Sequence, residues 1–389
     1  MTEEGYETNF EPEERLVVRC VRTAFEPDTD AVAIPEDALN WDEVITITGK
    51  HGVSYLVLDA LRTQDGVPPE AFEKLKAQAQ RRSHRNLQMV QELVEVVRSF
   101  RNRGIRAIPY KGPVIAERAY GDIGRRDFGD LDLLVSRDAL PKAKAALYER
   151  GYQPWYELTD AQEWVYDRVS RDYPLKHPST ATEIELHWQI VDRYFPTRLN
   201  FETVWSRRES LSIADSELPV LSPEDRLLML CVHGTRHRWE RLQWICDVAA
   251  YLRTRSFDWE TLDRRARSHR CERMVYLGLA TAAGLLDAPL PDDVRQKIRS
   301  DPEIPGLRSH VYGNLFSGKN NFRLKQYQSR TLDRNRDKVR LWLGGICTPT
   351  PADITAVSLP RLLAPLYVVV RWLRVSRILL SRLRESRGT

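Results

Sequence analysis

Cysteine is scarce in this chain. Five are scattered over 389 residues, at Cys20, Cys231, Cys246, Cys271 and Cys347, and no two form a CxxC pair. An odd, dispersed set fits reduced thiols in a cytosolic protein and not a disulfide scaffold. Long apolar runs are also missing. The longest in the arginine-rich tail, Leu366–Val370, is far too short to span a bilayer. Net charge is small, +4, so composition alone does not mark a nucleic-acid binder. There is no internal repeat and no low-complexity tract. The opening MTEEGYETNFEPEER is acidic and unlike a signal peptide, so a cytoplasmic location is expected.

What remains is an ordinary globular composition with enough chain for two or three domains. Residues 1–39 are acidic, and the first dozen are expected to be flexible. Apolar residues recur at helical spacing from Trp41 to Leu61. A long helix is predicted from Pro69 to Arg103, ended by Gly104. Short β-prone runs then follow at Ile105–Pro109, Asp130–Val135, Tyr152–Tyr156, Arg168–Lys176 and Thr182–Trp188, the last two joined by the turn HPSTA. A helix is predicted over 138–150. After about Asn200 the pattern reads as helices, at 222–239, 240–254, 258–269, 272–285 and 291–299. Residues 317–338 read as basic and irregular.

The densest chemistry lies in IRAIPYKGPVIAERAYGDIGRRDFGDLDLLV, residues 105–135. Asp130 and Asp132 are two apart at a strand start, so their carboxylates share a face. Two such charges repel unless a cation or a shared proton neutralises them. Upstream, Lys111 and Gly112 stand where a helix begins, with Pro113 at its first position, a place suited to phosphate. A phosphate cradle beside paired carboxylates points to metal-dependent chemistry on a nucleoside triphosphate.

This stretch resembles the bacterial nucleotidyltransferase family of the polymerase-beta superfamily, with a signature of approximately LKG…YgD…R..gDiDLLV. The matching residues are Lys111, Gly112, Tyr120, Gly121, Asp122, Arg126, Gly129, Asp130, Asp132, Leu133, Leu134 and Val135. The resemblance continues through Gly151-Tyr152, IELHW at 184–188, and a later pattern of His233, His237, Trp239, Arg241, Leu242, Trp244 and Asp247. It implies an α/β (α+β) fold: a small polymerase-beta-like sheet flanked by helices, with a C-terminal helical domain. The corresponding divisions are 1–80, an acidic segment and helical extension; 81–195, the nucleotidyltransferase core; 196–358, the helical domain; and 359–389, a basic amphipathic helix.

The resemblance further implies three carboxylates holding Mg2+ or Mn2+. Asp130 and Asp132 match the first two, and Glu185 is preferred over Glu183 for the third. Lys111, Gly112 and Arg126 are expected at the phosphates of an NTP, with ATP the expected nucleotide. Lys111-Gly112-Pro113 departs from the superfamily's usual Gly-Ser turn. It offers a point charge in place of a hydroxyl, and Pro113 removes one backbone N–H.

His187 shares the face of Glu185. His233 and His237, four apart on a helix, have a zinc-compatible spacing but no following glutamate, and a role lining the cleft with Asp247 is preferred. The expected reaction moves an NMP to an acceptor, a small molecule, a tRNA or a protein, with release of pyrophosphate. The alternatives are a toxin-like enzyme acting on tRNA or protein, and a non-catalytic nucleotide-binding module. For the tail, Arg371, Arg374, Arg377, Arg382 and Arg384 alternate with apolar residues. Packing against the bundle with arginines in water is preferred there over association with a membrane or RNA.

Overall fold

Five short strands carry the centre of the molecule: β1 (Ala107–Pro109), β2 (Leu131–Val135), β3 (Gln153–Pro154), β4 (Asp172–Lys176) and β5 (Glu183–His187). The computed structural model describes residues 10–25, 32, 34, 39–197, 199–317 and 324–385. The strands are ordered β1-β2-β5-β4-β3. β2 and β5 run parallel, and every other neighbouring pair is antiparallel. A parallel pair needs a long crossover. Here it contains the helices Leu140–Glu149 and Asp160–Val169 together with β3 and β4. The parallel register sets Asp132 opposite Glu185. That one pairing brings the two acidic segments of the sequence together.

β2 is buried along its whole length, as its unbroken LDLLV run predicts. Leu131, Leu133, Ile184 and Leu186 pack in one core with Met89, Leu93, Val97 and Phe100 of the helix Pro69–Asn102. A second, larger core lies among the helices Pro223–Arg236, Leu242–Thr254, Trp259–His269 and Glu272–Leu286. Leu242–Thr254 packs on the short helical segment Ala116–Tyr120, so the helical region meets the chain that follows the Lys-Gly turn.

The predicted mixed α/β architecture is what the molecule has, and the local differences have physical causes. The Trp41–Leu61 pattern is two helices, Trp41–His51 and Ser54–Leu61, broken at Gly52 with φ 70°. A Cβ there would lie 2.8 Å from Gln243 Oε1, so the break lets the helical region approach. Asp160–Val169 forms a helix begun by a Thr159–Gln162 capping box. Consequently the strand predicted from Arg168 starts only at Asp172.

Beyond Asn200 an antiparallel hairpin, β6 (Glu209–Ile213) and β7 (Ser216–Val220), interrupts the helices. Its two turn residues, Ala214 and Asp215, both have positive φ. Within 317–338 the chain is helical at Leu324–Arg330 and again from Asn335; residues 318–323 lie outside the described residues. Of the expected flexible start, residues 1–9 also lie outside them, and Pro12–Phe25 is a helix.

Candidate active site

Asp132 is the centre of the site. Its Oδ1 accepts from Lys111 Nζ at 2.6 Å and from His187 Nε2 at 2.9 Å. The same His187 nitrogen lies 3.0 Å from Glu185 Oε2. One imidazole N–H is therefore shared between two carboxylates on neighbouring parallel strands. His187 Nδ1 is buried with no hydrogen-bond partner, 4.0 Å from Asp172 Oδ2. The Tyr110 ring packs edge-on against His187 at 5.3 Å. Ligand atoms of Asp132, Glu185 and His187 all lie within 4.8 Å of one another.

The electrostatics follow from this crowding. Burial alone would raise the Asp132 carboxyl, but Lys111 and His187 outweigh burial and hold it well below the usual carboxylate range. Glu185 is lowered in the same way, mainly by His187 against burial. His187 is raised because the two carboxylates overcome its desolvation. Asp130 moves in the other direction, up to about 6, first through the Asp132 charge and then through burial. Asp130 stands one residue before β2 and is not one of the three clustered groups. Glu183 is turned to Lys176, its β4 partner, with the ion pair at 3.5 Å.

Gly112 adopts φ 53°, ψ −120°, a region open essentially only to glycine. This bend places Lys111 over Asp132 while the chain enters the Pro113–Ile115 turn. A Cβ on Gly112 would sit 3.3 Å from the Asp130 carbonyl oxygen.

Arg126 does not face the Lys-Gly turn with a free guanidinium. It makes a buried two-pronged pair with Asp247: Nε to Oδ1 at 2.7 Å and Nη2 to Oδ2 at 2.8 Å. Tyr120 Oη donates to the same carboxylate at 2.9 Å. The segment 123–129 is clamped from other sides too. Asn86 Nδ2 donates to the carbonyls of Ile123 and Arg126, Gln243 Nε2 to that of Asp127, and Arg85 to that of Gly129. His233 and His237 pack on each other and on Trp244, with centroids 4.7 to 5.3 Å apart. Burial, then the Lys111 charge, pushes His233 far below its usual range; burial, then Arg236, takes His237 to about 3. Both rings are therefore neutral near pH 7 and lie within the field of Lys111.

Two residues of the site have no counterpart among the sequence candidates. Tyr110 was hidden by its place in an apolar strand end. Arg171, which pairs with Asp172 at 3.1 Å and Asp192 at 3.5 Å, is signalled only by its position just before β4. Acids paired across two adjacent inner strands, with a glycine-only turn holding a lysine on one of them, make up the candidate site. The chain belongs to the family described as "Uncharacterised nucleotidyltransferase", whose model matches residues 37–287. It is also similar to an antigenic nucleotidyltransferase-like protein from Paracoccidioides brasiliensis, known from a crystal structure. That likeness has 15% identity and a TM-score of 0.34, over 52% of this chain and 93% of the other. No curated protein matches the sequence.

Proposed function

We propose that this protein transfers a nucleoside monophosphate from an NTP, with ATP the expected donor, to an acceptor oxygen and releases pyrophosphate. The observation that carries the reading is the convergence of Asp132 and Glu185 from adjacent parallel strands beneath Lys111. The donor set also fits a divalent cation. Two carboxylates with an imidazole gather within 4.8 Å, and positively charged or N–H donors already converge on the shared carboxylate oxygen. Oxygen-rich sets of this kind suit Mg2+ or Mn2+. Asp132 and Glu185 would hold the ion, joined by Asp130, with His187 orienting both carboxylates. Bound there, the ion would neutralise phosphate oxygens as a Lewis acid.

The protein's own groups supply position and charge. Lys111, whose Nζ lies 2.6 Å from Asp132 Oδ1, would meet phosphate oxygens, and the Gly112 bend keeps side chains out of their way. His233 and His237 line the roof. Arg126 acts through Asp247 by fixing the loop that carries Asp130. In the transfer the acceptor oxygen bonds to the α-phosphorus, and the bond to the α–β bridging oxygen breaks. The acceptor proton passes to a neighbouring carboxylate, Glu185, and pyrophosphate leaves with the electron pair.

One observation favours a second reading, an RNA acceptor. A cavity of about 530 Å3 opens beside Gly129, the residue before Asp130, and is lined by Lys50, Arg81, Arg82, Arg85 and Arg241. Asp127 is its one acidic lining residue, and Arg82 pairs with it. Five cations around one acid suit a phosphate backbone.

The test is incubation with each α-labelled NTP and magnesium, offering lysate, tRNA and the protein itself as acceptors. Label retained with wild type and lost with Asp132→Asn and Glu185→Gln supports the transferase. Nucleotide binding that needs no divalent ion and yields no transfer would replace it with a binding module.

A further inference from the structure

The last helix, Tyr367–Glu385, docks with its polarity inverted. An amphipathic helix on a soluble body normally buries its apolar stripe and leaves its arginines in water. Here Arg371 and Arg374 turn inward to the fully buried Asp353, at 3.1 and 2.5 Å. Arg371 also donates to the Gly345 carbonyl, and Trp372 Nε1 to that of Ile346 at 3.1 Å. Behind the buried Tyr367, several apolar side chains of the helix face out instead: Leu373 is 58% exposed, with Val369, Trp372 and Ile378 also exposed. The segment Arg361–Leu366 that leads into it adds Leu362, 93% exposed, and Leu366. The preferred expectation of arginines in water over a packed apolar face is corrected for these two arginines. The neighbouring helix Asn335–Cys347 presents a second outward stripe at helical spacing, Val339, Trp342, Leu343 and Ile346. The Trp372–Ile346 hydrogen bond joins the two stripes into one face.

Charge identifies what covers this face. Residues 334–389 hold eleven basic residues and three acids, while residues 1–333 carry a net charge of −4. Two of the three acids, Asp337 and Asp353, are buried on arginines. A second copy of the chain docked here would bring two such basic segments together, against their mutual repulsion. An RNA would leave the leucines and tryptophans unpaired. Exposed Leu and Trp on a basic segment match the boundary of an anionic bilayer, where rings and leucines enter the headgroup region and arginines meet phosphates. Among the described residues no helix is long and apolar enough to cross a membrane, so the contact is peripheral.

We propose that the outward apolar face of these two helices, with the Arg361–Leu366 segment between them, seats the protein on an anionic lipid surface. The inference is independent of the transferase reading. The test is co-sedimentation of the full chain with vesicles of phosphatidylcholine alone and with about 30% phosphatidylglycerol, the range in which basic segments respond to surface charge. Binding is expected to the anionic vesicles and to fall about tenfold or more in the double variant Leu362→Glu/Leu373→Glu, since each leucine loses its apolar transfer. Both positions are exposed, so thermal unfolding of the variant should match wild type. A charge-reversal variant, Arg377→Glu in place of the leucine changes, should weaken binding only to anionic vesicles. Equal binding to neutral vesicles, no binding to either, or a concentration-dependent dimer that the double variant abolishes would overturn the proposal.

Discussion

Replacing Asp247 with alanine tests whether the loop before Asp130 is held by the Arg126–Asp247 pair. Arg126 is 6% and Asp247 1% exposed, and they meet through two short bonds. Removing the carboxylate strands a guanidinium in the interior and also takes the acceptor from Tyr120 Oη. A broken buried pair of this kind costs about 3–5 kcal/mol. Removing both charges, in Arg126→Met/Asp247→Leu, should cost much less than the sum of the single changes, because no ion is left uncompensated. The assay is urea unfolding of wild type, both single variants and the double, with nucleotidyl transfer measured alongside. The reasoning predicts strong coupling in stability and a transfer defect even in a folded double variant, since its loop loses the fork. A single-variant cost below about 1 kcal/mol, or additive costs, would refute it, because a truly buried pair behaves in neither way.

Three further outcomes follow from the geometry. Gly112→Ala should destabilise by about 1–3 kcal/mol, from a backbone conformation alanine avoids, and suppress transfer; thermal unfolding and label transfer read the two effects. Lys111→Met should weaken binding of a non-hydrolysable NTP about tenfold through loss of one charge-assisted contact, measured by titration calorimetry with magnesium present. His51 is buried, accepts from the Leu242 N–H at 3.1 Å, and is pushed down to about 4 by burial first and then by Lys50. With its folded value below its unfolded one, the unfolded chain takes the proton first. Stability should therefore fall as pH drops from about 6.5 to about 4, by on the order of 3 kcal/mol from this group, and His51→Gln should flatten that slope in urea midpoints.

The central strand was legible because four of the five residues in LDLLV are apolar, and Asp132 stood out as the acid among them; that Glu185 and His187 join it, and Asp130 does not, follows from the parallel register. The hairpin β6–β7 was not, since Ala214-Asp215 is a left-handed turn without the Asn-Gly signal that usually announces one. Nor was the helix Asp160–Val169, whose start is encoded in a Thr159–Gln162 box with little apolar periodicity behind it. The docking of the last helix was misread for a deeper reason. Alternation of arginine and leucine fixes two opposed faces but does not say which one meets the body; Asp353, buried and placed between Arg371 and Arg374, decides it.

The motif residues divide by what they touch. Asp132, Glu185, His187 and Lys111 touch one another, and the parallel register of β2 with β5 is enough to assemble them. Arg126, Tyr120 and Asp247 form a separate triad that ties the loop before β2 to the helix Leu242–Thr254. Spacing along the chain cannot separate these groups, because an arginine four residues before Asp130 is equally well placed for a phosphate or for a distant carboxylate. The choice belongs to the helical region, which contributes Asp247 more than a hundred residues later. A site assembled this way is stiff before substrate arrives. Its acids are set by the sheet, its loop is tied by a buried ion pair, and Lys111 rests on the Asp132 carboxylate.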